Sequence, residues 1–236
     1  MYKCLVICLL YTVSLLISCN PKIAEGVRKK DITKDVEMIT DKGVMIIRLS
    51  DITPLHRNNF LKLVKQHYYD GILFHRVIQH FMIQAGDPDS KTADSTKLLG
   101  DGDLGYTIPA EFNTTLFHRK GVIAAAREGD DKNPQKASSA CQFYITQGKI
   151  LSDAALDSIE VYRLNGRKIP EEYRVVYRTT GGVPHLDGNY TVFGEVVKGI
   201  EIVDSIAAVP VNRRLENRPF KNLHIIKARL IKRSSS

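Results

Sequence analysis

Apolar and polar positions repeat with different periods in successive stretches of this chain, and the changes of period mark out its elements. Residues 36–49 form two apolar-rich runs on either side of Asp41, Lys42 and Gly43, a turn sequence, and predict a β-hairpin. Thr53 followed by Pro54 opens a helix, with Thr53 placed to cap it and Pro54 at its first position. Phe60, Leu61, Leu63 and Val64 give that helix an apolar side. Residues 72–84 predict two strands with a bend near Gln79 and His80, and residues 87–105, rich in Gly, Asp, Ser and Thr, predict a long loop. Short strands are predicted at 121–126, 142–146 and 191–197, a second core helix at 200–207 and a closing strand at 223–231. Many short strands with few helices point to a closed antiparallel barrel.

One stretch breaks this pattern. In residues 151–180, Ser152 can cap a helix that runs to about Leu164 and stops at Gly166, and Pro170 can start a second that runs through Tyr173, Val176 and Tyr177 to Gly181 and Gly182. The expectation is a helical hairpin inserted between two strands, at about 150–182. It either borders a cleft and selects clients or is a distal stabilising decoration.

The two ends of the chain differ from its middle. After Lys3, residues 4–17 are almost entirely apolar, and Leu16, Ile17 and Ser18 lead into Cys19. That is the layout of a secretory signal peptide. Its ending resembles a bacterial lipobox, whose cysteine is lipidated after cleavage. A membrane-spanning helix is the poorer reading, because the run is roughly fourteen residues and a span takes about 20. Residues 1–18 are therefore expected to be a lipoprotein signal peptide, Cys19 to carry lipid into a bilayer, and residues 19–34 to form a flexible tether with ends on the order of 20 Å apart. A domain is expected over 35–233. The expected location is the cell envelope, facing the periplasm. Asn20 is not the aspartate that retains many enteric lipoproteins in the inner membrane, which favours the outer one.

Composition adds limits. Of 236 residues, 43% are hydrophobic and 25% charged, which is ordinary for a globular domain with a full core. Cysteines 4, 8 and 19 fall in the leader, so Cys141 would be the only thiol left and no internal disulfide can form. Cys141 reads as a small buried apolar residue rather than a nucleophile. The net charge of +8 is spread in short clusters, so a solvated surface is favoured over nucleic acid as its explanation. Arg28, Lys29 and Lys30 lie near the expected anchor, where an anionic membrane surface would attract them.

Several motifs fail on mechanism. Gly100, Gly102 and Gly105 match a dinucleotide-binding spacing, but that chemistry needs a helix N-terminus and this loop leads into the extended run 106–109. Asp101 and Asp103 suggest a calcium loop, yet Phe112 stands where its bidentate glutamate belongs. No metal-ligand spacing joins the seven histidines. Neither a metal nor a cofactor is expected.

The segment 74–87, Phe-His-Arg-Val-Ile-Gln-His-Phe-Met-Ile-Gln-Ala-Gly-Asp, carries the chemistry. Met82 and Gln84 are two apart and share a strand face. Spacing alone leaves open whether Arg76 joins them to form a polar group beside an apolar shelf, or whether this is an ordinary half-buried strand.

This wording closely resembles the signature of the cyclophilin family of peptidyl-prolyl isomerases. Further matches follow in the family's order: residues 106–112, Gly121 to Ala126, Gln142 to Ile145, His185 to Gly188, and Thr191 to Val196. The resemblance covers roughly residues 36–232 apart from the helical stretch. It implies an eight-stranded antiparallel barrel capped by two helices, and cis/trans isomerisation of the bond before proline in polypeptides. It assigns catalytic positions to Arg76, Phe81 and Gln84, and substrate-binding positions to Met82, Ala126, Gln142, Tyr144, His185, Leu186 and Tyr190. Phe81, Met82, Tyr144 and Leu186 would hold the proline ring. Proline-containing polypeptides are the expected partners, folding of exported proteins the expected task, and a monomer the expected state. A non-catalytic module that holds proline peptides or acts as a chaperone is the alternative.

Four positions depart from the family pattern. His185 stands where many members have the tryptophan that helps bind cyclosporin, so sensitivity to that drug does not follow. Tyr190 replaces a common histidine and Tyr144 a common phenylalanine. Arg127 occupies a position often held by asparagine.

Overall fold

The computed structural model describes residues 24–233. The expected signal peptide and Cys19 lie outside the described residues, and among those described no helix is long and apolar enough to cross a membrane.

The elements run in the order β1 (Lys34–Thr40), β2 (Gly43–Leu49), α1 (Pro54–Lys65), β3 (Phe74–Ile78), β4 (Met82–Ala85), β5 (Thr107–Ile108), β6 (Val122–Ala125), β7 (Ser138–Ser139), β8 (Phe143–Thr146), α2 (Asp153–Tyr162), α3 (Glu171–Thr179), β9 (Val192–Lys198), α4 (Ile200–Ala207), β10 (Val211–Asn212), β11 (Arg218–Pro219) and β12 (Ile225–Lys232). Eight strands form one antiparallel sheet in the order β12-β1-β2-β9-β6-β8-β4-β3. The sheet curls but is open, which corrects the expectation of a closed barrel. Its edges β3 and β12 share no ladder. They meet only where both strands begin, through a bridge between Leu73 and His224 and backbone hydrogen bonds that join residues 71–74 to 223–225.

Period two divides the sheet into two faces. Ile83, Ala85, Ile123, Ala125, Phe143 and Ile145 point into the main core with Phe60 and Leu61 of α1 and Val203 and Ile206 of α4. These two helices close that core. Met82, Val122, Ala124 and Tyr144 alternate with them and face outward, where they gather a second apolar cluster with Val183, Leu186 and Val192.

Helix α1 is not capped as expected. Thr53 stands at its N-cap, but the hydroxyl makes no capping bond and is buried without a partner. Glu111 does the work from the loop after β5. Its carboxylate accepts from the backbone amides of Leu55 and His56, each at 3.0 Å, and pairs with His56 Nδ1 at 2.7 Å. A negative charge there also opposes the positive end of the helix dipole.

Part of the stretch expected to be a tether is docked. Val27 is buried in the main core, and Asp31 is fully buried between Lys34 (3.2 Å) and Lys65 (2.7 Å), whose ammonium groups hold its carboxyl well below the usual carboxylate range against the opposing effect of burial.

Helices α2 and α3 lie between β8 and β9 and have a core of their own. Leu151, Leu156, Leu164, Ile169 and Tyr177 bury one another, and Phe117 stacks on Tyr173 with ring centroids 3.9 Å apart. Arg174 ties the helices together through Asp153 (3.0 Å), Asp157 (2.9 Å) and the buried Glu160 (2.9 Å). Ser152 caps α2, accepting from the Ala155 amide at 3.2 Å.

Candidate active site

Strand register builds the site. Arg76 on β3 stands opposite Gln84 on β4, Gln84 opposite Tyr144 on β8, and Tyr144 opposite Ala124 on β6. Four strands thus place one row of side chains on the outward face. Along that row Arg76 Nη1 donates to Gln84 Oε1 at 3.2 Å, and Gln84 Nε2 donates to Gln142 Oε1 at 3.0 Å. Gln142 in turn donates to the carbonyls of Gly100 (2.7 Å) and Gly102 (2.9 Å). The guanidinium is therefore held at one end of a chain of amides whose other end is fixed to the 87–105 loop. Asp87 secures that loop by accepting from the Gly100 amide at 2.6 Å, and the buried Arg218 by donating to the carbonyls of Asp94 (2.7 Å) and Lys97 (2.8 Å).

A recess of about 320 Å³ opens beside Arg76. Phe81, Met82, Gln84, Ala126, Tyr144, Leu186 and Tyr190 border it, together with His75, Leu99 and Arg127. It meets a larger groove of about 770 Å³ at Gln84, Gly100, Asp101, Ala126 and Arg127. Gln142 lines the groove rather than the recess. Of the residues expected in the site, the structure gathers Arg76, Phe81, Met82, Gln84, Ala126, Tyr144, Leu186 and Tyr190 around one recess. His185 does not border it. Its imidazole stacks on Phe81 at 5.9 Å, and burial, with lesser contributions from Arg163 and His118, brings its pKa down to about 4. No residue of α2 or α3 lines the recess.

His75 and His118 carried no functional signal in the sequence, and the contacts made by Arg127, Tyr144 and Tyr190 were not legible in it. His75 is 2% exposed, neither ring nitrogen has a partner, and burial lowers its pKa to about 4. It is neutral in the folded chain near neutral pH. Arg127 places its guanidinium 4.7 Å above the Tyr190 ring and donates to the Asn189 carbonyl at 2.7 Å, fixing that wall. Tyr144 and Tyr190 meet edge to face at 5.9 Å. His118 lies behind Tyr144 and takes its hydroxyl at 2.8 Å. A hydroxyl in place of a phenylalanine hydrogen at 144 was the one visible sign of that contact.

The arrangement sets apolar and aromatic walls (Phe81, Met82, Tyr144, Leu186 and Tyr190) against a polar rim where Arg76 and Arg127 are charged donors and Asp101 and Glu216 are acids. No group of three or more His, Cys, Asp or Glu able to hold a metal occurs among the described residues. Cys141 is buried, and burial pushes its thiol pKa up.

Comparison with known proteins gives a single answer. Residues 35–230 match the family model described as cyclophilin type peptidyl-prolyl cis-trans isomerase/CLD. The "Putative peptidyl-prolyl cis-trans isomerase" of Staphylococcus haemolyticus is 33% identical over 192 residues, which is 81% of this chain and 88% of that protein. A crystal structure of a Cryptosporidium parvum cyclophilin type peptidyl-prolyl cis-trans isomerase superposes with a TM-score of 0.62 at 22% identity, covering 85% of this chain and 99% of that one. The same protein in the presence of the dipeptide Ala-Pro gives 0.61 at 23% identity over 84% and 99%.

Proposed function

The chain belongs to the cyclophilin-type peptidyl-prolyl cis-trans isomerases, and on that footing we propose that Arg76 is the donor that stabilises the twisted prolyl amide while the recess beside it holds the proline ring. The observation that carries this reading is the position of the guanidinium. Gln84 holds it at 3.2 Å, at the edge of a recess walled by Phe81, Met82, Tyr144 and Leu186.

The chemistry needs little else. The barrier is the partial double bond of the amide, about 18–20 kcal/mol. No bond breaks. Catalysis requires tighter binding of the twisted amide than of either planar form. Twisting localises a lone pair on the proline nitrogen, and a fixed guanidinium donates to it only then. The apolar walls grip the ring while the preceding residues swing along the groove past Gln84, Ala126 and Gln142. The test is isomerisation of a short Ala-Pro peptide by the full chain and by Arg76→Ala. Loss of about 10²–10³ in rate is expected for the variant. A parent no faster than the uncatalysed reaction, or an Arg76→Ala rate equal to the parent's, would overturn the reading.

The domain acts, in this proposal, on exported proteins at the periplasmic face of a membrane, held there by lipid on Cys19. The apolar run 4–17 and the Leu16-Ile17-Ser18-Cys19 ending support it. Mass spectrometry of the mature N-terminus checks it: an unmodified Cys19 sinks the anchor.

A further inference from the structure

The hydroxyl of Tyr144 is turned away from the recess and into the body of the protein. It meets His118 Nε2 at 2.8 Å. On the far side of that imidazole, Nδ1 lies 2.9 Å from Asp187 Oδ1, which also accepts from the His118 backbone amide at 2.8 Å. Asp187 Oδ2 accepts from the Tyr177 hydroxyl at 2.6 Å, and Tyr177 belongs to α3. Tyr144, His118 and Tyr177 are buried.

The donors along this chain follow from its one acceptor-only member. A carboxylate can only accept, so His118 must carry a proton on Nδ1 and Tyr177 must donate. In the neutral imidazole that leaves Nε2 as the acceptor for the Tyr144 hydroxyl. Burial raises the pKa of both tyrosines, which keeps their hydroxyl protons in place. Every polar group in the line is satisfied by the next.

The backbone reinforces the same connection. The segment after α3 folds over His118, with the Val183 amide donating to the His118 carbonyl at 2.8 Å. Gly182 sits between them at φ +156°, where a Cβ would lie 2.3 Å from the His118 oxygen and 2.6 Å from the Tyr177 ring. Only glycine fits there, so the end of α3, Tyr177 and His118 share one seat.

We propose that His118 is a positioning residue of the proline recess, and that Asp187 and Tyr177 make the seating of α3 part of the geometry of its Tyr144 wall. This rests on Tyr144 forming a wall of the substrate site. A phenylalanine would fill the same space, held only by its neighbours' packing. The tyrosine is fixed at its far end as well, so the wall that meets the proline ring cannot swing. Helices α2 and α3 thereby act on the recess without lining it. The wall contacts planar and twisted forms of the substrate alike, so its loosening weakens binding of both and appears in KM rather than kcat.

The experiment uses the full chain, an Ala-Pro tetrapeptide, and three variants beside the parent. Tyr177→Phe removes one hydroxyl on α3 and nothing in the recess. His118→Asn keeps a donor toward Asp187 and drops the arm that reaches Tyr144. Each is expected to raise KM about three- to tenfold with kcat within twofold. The double variant is expected to be no worse than the worse single one, because both cut the same line. KM within twofold of the parent in Tyr177→Phe, or effects that multiply in the double variant, would overturn the proposal. A direct readout needs no variant: the parent's ¹⁵N spectrum should show His118 protonated at Nδ1, and a neutral Nε2–H tautomer would overturn the relay even if His118→Asn does not fold. Arg76→Ala is measured alongside. If it keeps the parent's kcat, the assignment of the recess fails and this proposal with it. If it is inactive while Tyr177→Phe leaves KM unmoved, only the relay fails.

Discussion

The recess and the two-helix unit are built on opposite principles. The recess takes its shape from a sheet, where backbone ladders fix every Cα and period two decides which side chains face out. Arg76, Gln84, Tyr144 and Ala124 line up because four strands pair in register, and the ladders that set that register are backbone to backbone. The unit of α2 and α3 has no such frame. It is held by a small apolar cluster and by charges: Arg174 against Asp153, Asp157 and Glu160, Arg178 against Asp153 and Glu171, and Lys168 against Glu160. Chemistry sits where the scaffold is independent of it, and side-chain interactions do the holding where no ladder exists.

The largest expected effect tests the first half of that contrast. Arg76→Ala should cost about 10²–10³ in rate. It should leave the unfolding midpoint in urea nearly unchanged, since its side-chain hydrogen bond within the protein is the 3.2 Å contact to Gln84. A large loss of stability would mean that the row of side chains supports the sheet after all.

Acid should next weaken the sheet side of the comparison through His75. In the folded chain its imidazole stays neutral down to about 4, because burial disfavours the charged form. In the unfolded chain it takes a proton near the ordinary value of 6.5. Between those values the unfolded state binds a proton that the folded state does not, so stability is full above pH 6.5 and falls as the pH drops toward 4. The loss is on the order of 3 kcal/mol. His185, also lowered by burial, acts in the same direction. Urea unfolding from pH 7 to 4.5 measures the slope, and His75→Gln should flatten it. An unchanged slope in that variant would place the acid sensitivity elsewhere.

The helical unit should respond to a single charge. In Arg174→Met, Glu160 keeps Lys168 at 2.6 Å and the Ile169 amide at 3.0 Å but loses a partner while 2% exposed. The expected cost is about 2–3 kcal/mol, below that of stripping a buried ion of every partner. Amide hydrogen exchange should show it confined to α2 and α3. Exchange that rises equally in β4 and β8 would show that the unit and the sheet unfold together, and the contrast would fail.

What the sequence revealed follows the same division. Period two, a turn at Asp41–Gly43 and the ordered motifs were enough to place the sheet strands and the side chains of the row. Helix signals at Ser152 and Pro170 located α2 and α3 for the same local reason. Contacts between distant segments were not legible. The edges of the sheet meet through residues 71–74 and 223–225 without a ladder, a fact of three-dimensional curl that no period encodes. The line from Tyr144 to Tyr177 draws its four members from four segments, with only the hydroxyl at 144 out of keeping with its surroundings.

The cap of α1 gives the smallest effect and separates local from distant signals most sharply. Thr53 has the right type and the right position, yet its hydroxyl is buried and unpaired, while Glu111 reaches the helix from 55 residues away. Thr53→Val should therefore be neutral or slightly stabilising, since it removes a buried polar group that has no partner to lose. Glu111→Gln keeps one oxygen for the amides of Leu55 and His56 but surrenders the second acceptor and the charge that opposes the helix dipole and pairs with His56. A loss of about 1 kcal/mol is expected. Helix α1 packs on the core face of the sheet, opposite the recess, so kcat and KM should both stay at the parent's values in Glu111→Gln. A raised KM there would show that the core face is transmitted to the row through Asn59, which donates to the Ala140 carbonyl at 2.6 Å just before Gln142.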